Sequence, residues 1–402
     1  MKVMLITFEY PPNISGGIGS FNYELAKGFS KNDSDVIVVA GGSNDLLLSK
    51  DRKIKVYFLE SPKSPILRPR EFYFQLHNAR RIAKIVEKEK PDVIQLNSGC
   101  NFFLKVLKER KSCNSAIVHV FHGSPSPFSR LYEDLKNLGI GTYDIIWTLT
   151  LQIYDHISKL IANSLEYSDA FVHVAKHVMY YNLKYSGLSQ KMREKINVVI
   201  YPGMDVKYFE QLRHETSLGG KNQKSLIFGA RLVPYKGITY LLKAFKLAWK
   251  EDKKISLHIF GDGPLKLQVL RMIKNMQRQG VLNVHYHGKV TRKVFLEEVA
   301  RSHVLVHPSL YESVGLVLIE SSLLGTPVLA HEAPYSEEFV KELSIGRTVD
   351  TRNVERFADA LVSIVNNDEL TYKVAKSSDV IRRLFDVDKI VKEYMELYQK
   401  LV

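Results

Sequence analysis

Two glutamates in the second half of the chain are the sharpest candidates for chemistry. Glu312 and Glu320 are eight residues apart in PSLYESVGLVLIESSLLGTPVLA. Glu312 is predicted in the loop after the strand VLVHPS, and Glu320 in the helix that follows. Such carboxylates can accept hydrogen bonds from sugar hydroxyls, while the backbone N–H groups of Gly315, Leu316 and Val317 at the helix start can donate to phosphate. An amphipathic helix with two exposed acids would explain the glutamates but not the glycine.

Two cations stand close together in another loop of the second half. Arg231 and Lys236 lie in GARLVPYKG, which begins at the carboxyl end of a predicted strand. Two positive side chains in one loop can bind a diphosphate from two sides. The same pattern also fits a solvated loop with two surface charges. Nearby, GDGP with Gly261 closes a further predicted strand and is typical of a tight turn.

The first half offers a glycine-rich loop and a histidine. Gly16, Gly17 and Gly19 lie in YPPNISGGIGSF, before a helix predicted to start near Ser20. Glycines let backbone N–H groups approach a ligand, and a helix start favours an anion. The spacing matches neither the dinucleotide fingerprint nor a Walker loop, and a tight turn explains it equally well. His122 follows the predicted strand AIVHVF, where α/β ligands sit, although a lone histidine is more often structural.

Alternating strands and helices must position these residues. Strands are predicted at VMLITF, DVIVVAG, KIKVYFL, PDVIQLN, AIVHVFHG, DAFVHVA and INVVIYPG, and then at SLIFGAR, SLHIFGDG, VHYHG, VLVHPS and PVLAHEA. Most are almost continuously apolar, as strands buried on both faces must be. An amphipathic helix is predicted over Arg70–Glu89. The alternation predicts an α/β fold with parallel sheets. The polar stretch between Tyr201 and Ser225, with no clear strand, predicts a linker between two doubly wound domains.

The composition is that of a globular protein with a large positive charge. The 402 residues carry a net charge of +14, and 45% are hydrophobic, which excludes a disordered chain, a collagen and a coiled coil. Residues 50–111 hold 16 Lys and Arg against 7 Asp and Glu. This local excess predicts an anionic partner, such as a membrane surface, a phosphorylated lipid or nucleic acid. Cys100 and Cys113 form neither a disulfide scaffold nor a zinc motif, and they indicate reduced thiols in a cytoplasmic protein.

In this order the motifs resemble those of the GT-B glycosyltransferases of family 4 (glycosyl transferases group 1), which are retaining enzymes that use nucleotide sugars. The similarity covers nearly the whole chain, through YPPNISGGIGSFNYELAKGF, VFHG, NVVIYPGMDVKYF, GARLVPYKGITYLLKAF, LHIFGDGP, HGKV and the E-x7-E run of Glu312 and Glu320. It implies two Rossmann-like domains with a deep interdomain cleft. Residues 1–204 would form the acceptor-binding domain and 205–384 the nucleotide-sugar-binding domain. A C-terminal helix in 385–402 would pack back toward the first domain.

The resemblance also assigns roles to residues. Arg231 and Lys236 would hold the donor diphosphate and compensate the charge of the leaving group. Glu312 would contact the donor sugar, His122 would lie beside the anomeric carbon, and Glu320 would bind the ribose. Together, His122, Arg231, Lys236 and Glu312 form the expected catalytic set. The expected donor-binding set is Gly16, Gly17, Gly261, Gly288, Lys289, Val290, Gly315, Leu316, Val317 and Glu320.

The expected activity is therefore a retaining hexosyl transfer from a UDP- or GDP-sugar to a lipid-linked or saccharide acceptor, in cell-envelope glycan or glycolipid biosynthesis. No cofactor and no essential metal are expected. The strand pattern places no Asp-x-Asp metal motif at the site, and Asp386-Val387-Asp388 lies near the C-terminal helix. The alternatives are a hydrolysing nucleotide-sugar epimerase of the same fold and a non-catalytic anion- or nucleic-acid-binding protein, although no nucleic acid partner is expected. We expect a cytoplasmic protein, with residues 50–111 available for peripheral attachment to an anionic membrane surface.

Overall fold

The computed structural model describes residues 1–13, 17–42, 46–48, 53–60, 70–97, 104, 114–123, 165–185, 190, 193–217 and 224–402. The chain divides into two compact units. Unit 1 comprises Met1–Met204 and Phe385–Val402, and unit 2 comprises Asp205–Leu384. Each unit is built around its own sheet of mainly parallel strands.

Unit 1 contains an eight-stranded sheet. Its strands are β1 (Lys2–Ile6), β2 (Asp35–Gly42), β3 (Leu46–Leu48), β4 (Ile54–Glu60), β5 (Val93–Leu96), β6 (Ala116–Phe121), β7 (Ala170–His173) and β8 (Ile196–Val199). They lie in the order β3-β4-β2-β1-β5-β6-β7-β8, and all pairs are parallel except β3 with β4. The central strands are almost fully buried, because they are covered on both faces and their sequences are largely apolar.

The described helices of unit 1 are α1 (Gly17–Lys31), α2 (Arg70–Glu89) and α3 (Lys176–Tyr185), and α11 (Val387–Gln399) joins them from the C-terminus. Helix α11 packs closely on α1. A Cβ atom added at Gly28 would lie 2.3 Å from Val391 Cγ2. Phe29, Tyr394 and Tyr398 form a buried aromatic cluster with ring centroids 5.6–6.2 Å apart. The last helix is therefore part of the core of unit 1.

Unit 2 contains a six-stranded parallel sheet. Its strands are β9 (Ser225–Gly229), β10 (Ser256–Phe260), β11 (Val284–Gly288), β12 (Val304–His307), β13 (Val328–His331) and β14 (Gly346–Val349). Its helices are α4 (Val206–Ser217), α5 (Ile238–Glu251), α6 (Lys266–Arg278), α7 (Arg292–Arg301), α8 (Leu316–Leu323), α9 (Val354–Val365) and α10 (Asp368–Phe385). The strand order is β11-β10-β9-β12-β13-β14, a doubly wound arrangement.

The direction of winding reverses once in each sheet. In unit 2 it reverses between β9 and β12, and in unit 1 between β1 and β5. Connections from neighbouring strands leave these two points on opposite faces of the sheet, which opens a crevice at the carboxyl ends of the strands. Ligands of such sheets bind at these switch points.

The structure corrects the sequence analysis in two respects. The polar stretch predicted as a linker contains α4, whose Val206, Phe209 and Leu212 are buried at steps of three. Strands β3 and β14 were not predicted, because LLL and GRTV are too short to show a strand pattern. In the described part of the chain no helix is long and apolar enough to cross a membrane.

Candidate active site

The two sequence motifs of unit 2 meet at its switch point. Strand β9 leads into the loop that carries Arg231 and Lys236, and strand β12 leads into the loop that carries Glu312. These strands are neighbours in the sheet, with Leu226 beside Val304 and Ile227 beside Leu305. Both loops therefore leave the same edge of the sheet, where the doubly wound fold provides a ligand crevice.

A glycine fixes the distance between the two loops. Gly237 has φ +72°, and a Cβ atom there would lie 2.1 Å from the carbonyl oxygen of Pro308. Only glycine fits this left-handed conformation and this close approach. The backbone N–H of Leu310 donates to the carbonyl of Tyr235 at 2.8 Å. Lys236, between Tyr235 and Gly237, is thereby held against the loop of Glu312.

Glu312 accepts hydrogen bonds from two side chains. Its Oε1 atom contacts the Lys236 ammonium and lies 3.0 Å from His307 Nε2. The side chains of Lys236 and Glu312 are each only 15% exposed. Burial by itself would raise the pKa of Glu312, but the Lys236 charge and the His307 hydrogen bond outweigh it and hold the pKa below its ordinary value. Glu312 is therefore a carboxylate at neutral pH.

A buried tyrosine supports this cluster from behind. The ring of Tyr335 meets the ring of His307 edge-on, with centroids 6.0 Å apart. The Tyr335 hydroxyl donates to the carbonyl of Ser309 at 2.7 Å. Burial and the nearby Glu312 charge raise the pKa of Tyr335 well above its ordinary value, so the hydroxyl keeps its proton. His307 and the loop after β12 are thus fixed together.

Arg231 reaches the same edge of the sheet with its side chain exposed. Its guanidinium donates to the Tyr235 hydroxyl at 2.8 Å, and the Tyr235 ring centroid lies 5.4 Å from Lys236 Nζ. One tyrosine therefore contacts both cations of the loop. The alternative of two surface charges therefore describes Arg231 but not Lys236, which is ion-paired and largely buried.

Glu320 lies on α8 and forms a separate ion pair. Its Oε1 atom lies 2.5 Å from the Arg292 guanidinium, and its side chain is 10% exposed against 52% for Arg292. The Arg292 guanidinium also lies over the ring of Phe209 at 5.8 Å. The alternative of two exposed acids on a surface helix is therefore wrong, because both glutamates are largely buried and paired.

The start of α8 faces the Glu312 loop. Gly315 adopts φ +70° before the first helical residue, and its Cβ position lies 3.6 Å from Glu312 Cγ. Leu316 and Val317 form the first turn of the helix, where backbone N–H groups have no acceptor within the helix. This places potential anion donors beside the Lys236–Glu312 pair.

The remaining predicted residues of unit 2 lie at the ends of β10 and β11. The Gly261 N–H donates to the Gly288 carbonyl at 2.7 Å, and a Cβ atom at Gly261 would lie 1.9 Å from the Ala230 carbonyl oxygen. Gly261 is therefore packed against the loop of Arg231. Lys289 and Val290 follow β11 at the edge of the sheet, one strand further from β12 than Gly261.

In unit 1 the predicted residues surround the other switch point. Gly17 is the first residue of α1, after β1, while Gly16 lies outside the described residues. His122 follows β6, and its Nε2 atom lies 3.4 Å from Asn97 Oδ1 at the end of β5. Its ring packs edge-on against Phe21 with centroids 5.0 Å apart. Burial lowers the pKa of His122 to about 4, so the imidazole is neutral at pH 7.

Sequence reasoning missed the partners of the predicted residues: Asn97, Tyr235, Arg292, His307 and Tyr335. Tyr235 and His307 were inside the quoted motifs, and a polar residue at a strand end was the available signal. Asn97 also ends a predicted strand. Arg292 and Tyr335 gave no local signal, since only the fold brings them to the site.

No group of three or more His, Cys, Asp or Glu side chains suited to a metal ion is found within the described residues. Asp386, part of the Asp-Val-Asp run, caps α11 by accepting a hydrogen bond from the Asp388 backbone N–H at 2.8 Å. That run serves as a helix cap in this structure.

Comparison with known proteins agrees with the fold and the motifs. The family model "Glycosyltransferase Family 4" matches residues 15–207, and "Glycosyl transferases group 1" matches residues 209–379. A poly(ribitol-phosphate) alpha-N-acetylglucosaminyltransferase of Staphylococcus aureus is 29% identical over 174 residues, 42% of this chain and 34% of that protein. The chain thus spans about a third of this relative's length.

Two further similarities extend over more of the chain. An alpha-monoglucosyldiacylglycerol synthase of Streptococcus pneumoniae is 22% identical over 86% of this chain and 74% of its own. A crystal structure of an Anabaena protein in complex with UDP and glucose superposes with a TM-score of 0.70 at 17% identity, covering 100% of both chains.

Two units with mainly parallel sheets flanked by helices, and the likeness to a solved structure over the full length of both chains, show the GT-B fold. Within that class, the chain belongs to the family 4 glycosyltransferases, glycosyl transferases group 1.

Proposed function

We propose that the protein is a retaining hexosyltransferase that takes its sugar from a UDP- or GDP-sugar. The observation that carries the proposal is the cluster of Lys236, Glu312 and His307 at the switch point of unit 2. It sets an ammonium, an ionised carboxylate and a helix start side by side. A nucleotide sugar presents the complementary groups, which are a diphosphate and sugar hydroxyls.

In this proposal the cations act on the leaving group. When the bond between the sugar and the diphosphate breaks, negative charge grows on the diphosphate and positive charge on the sugar. Arg231 and Lys236 stabilise the diphosphate, together with the N–H groups of Leu316 and Val317. Lys236 needs no reorganisation for this role, because its pairing with Glu312 already fixes its position. These cations carry the charge compensation, so we expect no essential metal.

The carboxylates and the histidine act on hydroxyl groups. Glu312 accepts a hydrogen bond from the donor sugar, and Glu320, held by Arg292, accepts from the ribose. His122 lies beside the anomeric carbon, where its neutral ring accepts from a sugar hydroxyl. The acceptor hydroxyl attacks from the side of the departing diphosphate, which retains the anomeric configuration.

The glycines give close backbone contact to the donor. At Gly17, the start of α1, and at Gly315, before α8, backbone N–H groups can donate to the diphosphate and to the sugar, because no side chain blocks their approach. Gly261 and residues 288–290 flank the base.

The proposal predicts a defined product. We would incubate the protein with a panel of UDP-, GDP- and ADP-sugars, measure nucleotide release, and determine the anomeric configuration of the product by NMR with candidate acceptors. Acceptor-dependent release of UDP or GDP with a retained configuration supports the proposal. An inverted product, or release of a free 2-epimerised sugar without an acceptor, contradicts it; the second outcome identifies the hydrolysing epimerase.

We further propose that the acceptor is a lipid or lipid-linked saccharide reached at an anionic membrane surface. On the part of α2 whose side chains the structure describes, the exposed residues are four cations and a histidine at steps of three and four: His77, Arg80, Arg81, Lys84 and Lys88. Each Lys or Arg near an anionic bilayer contributes about 1 kcal/mol of binding, screened by salt. The glycolipid synthase among the relatives supports a lipid acceptor. Of the stretch Pro62–Phe74, with its mixture of cations and aromatics, residues 62–69 lie outside the described residues, and only the side chain of Phe74 is described in the rest.

Vesicle sedimentation tests this part of the proposal. The triple variant Arg80→Ser, Arg81→Ser, Lys84→Ser is compared with a control of equal charge change on α6 of unit 2, Arg271→Ser, Lys274→Ser, Arg278→Ser. We expect wild type and control to sediment with anionic vesicles at low salt and to be released at high salt, and the α2 variant to sediment much less. If wild type ignores anionic vesicles at low salt, or both variants bind equally, the α2 surface does not bind the membrane.

A further inference from the structure

A series of hydrogen bonds between buried side chains connects the C-terminal helix α11 to His122. We call this series the relay. The Tyr398 hydroxyl on α11 donates to Gln95 Oε1 on β5. Gln95 Nε2 donates to Asn97 Oδ1 at 2.8 Å, and His122 Nε2 lies 3.4 Å from the same oxygen. Tyr398, Gln95 and Asn97 are fully buried. These three residues cannot touch a substrate in the crevice, but they can act through His122.

The direction of hydrogen bonding along this relay follows from its buried end. Burial and the neighbouring Tyr394 raise the pKa of Tyr398 well above its ordinary value, so its hydroxyl remains protonated. The Tyr398 hydroxyl can donate one hydrogen bond, and it donates this bond to Gln95 Oε1. The amide of Gln95 must then turn its N–H toward Asn97, which therefore presents its carbonyl oxygen to His122.

The last link determines the tautomer of the imidazole. An amide oxygen can only accept, so the nitrogen of His122 that faces Asn97 must carry the proton. The ring is neutral at pH 7, which leaves Nδ1 as its unprotonated nitrogen. The edge-on contact with Phe21 on α1 fixes the plane of the ring.

We propose that Tyr398, Gln95 and Asn97 are positioning residues that hold His122 as the Nε2–H tautomer, so that Nδ1 accepts a hydrogen bond from a substrate hydroxyl. The inference rests on the proposed function only for the role of His122 in turnover. The tautomer itself is a property of the protein without substrate. The C-terminal helix thereby contributes to the chemistry of unit 1 from 303 residues away in the chain.

The chain provides a matched control on the same helix. Tyr394 is one turn before Tyr398, is equally buried, and packs in the same aromatic cluster. Its hydroxyl has no hydrogen-bond partner among the described residues. Tyr398→Phe and Tyr394→Phe therefore each remove one buried hydroxyl from the same cluster, but only the first change interrupts the relay.

The first measurement is the tautomer of His122 in the full-length protein, labelled with 15N-histidine, with His122→Gln used to assign its signals. We expect an Nε2–H imidazole in wild type and in Tyr394→Phe, and a mixture of tautomers in Tyr398→Phe. An Nδ1–H ring in wild type, or identical spectra for all three proteins, overturns the proposal. This result does not depend on which substrate the enzyme uses.

The second measurement is steady-state turnover with the donor identified by the nucleotide-sugar panel. We expect Tyr398→Phe to lower kcat by about 5- to 10-fold, the effect of one misdirected hydrogen bond, with the donor KM nearly unchanged. Tyr394→Phe should keep the wild-type kcat. Equal losses in the two variants would mean that the hydroxyls act only through stability. If no donor is turned over, the proposed function fails, while the NMR experiment still decides the tautomer.

Discussion

The two units share one plan of strands and helices, but their switch points carry different chemistry. Near its switch point unit 2 holds charged groups in pairs, Lys236 with Glu312 and Arg292 with Glu320. In unit 1 the described groups that follow β5 and β6 are uncharged, with Asn97 beside a neutral His122. Ionic groups suit a diphosphate and the charge that grows on it, while neutral donors and acceptors suit hydroxyl groups. Under the proposed function, the charged groups of unit 2 serve the leaving group and the neutral groups of unit 1 serve sugar hydroxyls.

The largest expected effect comes from removing a cation of unit 2. Under the proposed function, Arg231→Ala and Lys236→Ala should each lower turnover by about 10²–10³-fold, because each removes a charge assigned to the departing diphosphate. The control is Lys266→Ala, which breaks an exposed ion pair with Asp262 in the same unit and should leave turnover near that of wild type. If steady-state assays show turnover within a few-fold of wild type for both site variants, Arg231 and Lys236 do not stabilise the diphosphate.

The next effect tests how unit 2 brings its charges together. Gly237 and Gly288 both have φ +72°, but only Gly237 has a neighbour that an added Cβ would strike. Gly288→Ala should cost about 1–2 kcal/mol of unfolding free energy, the strain of a left-handed alanine. Gly237→Ala should cost about 3 kcal/mol or more, since the loop must also move away from Pro308. Urea unfolding measures both values, and equal losses would show that the contact with Pro308 does not matter.

The two glutamates of unit 2 should separate in their kinetic effects. Glu312→Gln should mainly lower kcat, because the residue holds Lys236 and is proposed to contact the reacting sugar. Glu320→Gln should mainly weaken donor binding, since the ribose is remote from the reacting carbon and its contact is closer to uniform binding. Donor titrations and initial rates on both variants decide the matter, and the reverse order would show that the roles are exchanged.

The buried neutral histidines of unit 1 should make the free energy of unfolding decrease at acidic pH. Burial lowers the pKa of His119 to about 3 and of His173 to about 4, against about 6.5 in an unfolded chain. Below pH 6.5 the unfolded state therefore binds protons that the folded state cannot, and stability falls as the pH decreases.

His119→Phe should remove one of these groups and keep an aromatic ring beside Phe121, whose ring centroid lies 4.4 Å from that of His119. Urea unfolding at pH 7 and pH 5 should show that the variant loses about 1–2 kcal/mol less than wild type over this interval. An unchanged difference between the two pH values would mean that His119 is not buried as a neutral group.

The sequence predicted the strand ends, their loops and the parallel α/β class, because these depend on local patterns of apolar residues and glycines. It placed Arg231, Lys236 and Glu312 in loops after strands, where the structure has them. It could not predict that Lys236 pairs with Glu312, because the contact joins residues 76 positions apart and depends on Gly237 resting against Pro308. The relay from Tyr398 to His122 could not be predicted either, because it begins with a contact between residues 303 positions apart. Long-range contacts of this kind follow from the order of strands in the sheet.

The most direct test of the charged site compares nucleotides that differ only in the diphosphate. Calorimetric titration of wild type, Arg231→Ala, Lys236→Ala and Lys266→Ala would use the nucleoside diphosphate and monophosphate of whichever base the enzyme prefers. We predict that both site variants lose about 10- to 100-fold in affinity for the diphosphate, with a clearly smaller loss for the monophosphate and none in Lys266→Ala. Equal losses for the two nucleotides, or unchanged diphosphate affinity in both site variants, would contradict the assignment of Arg231 and Lys236 to the donor diphosphate.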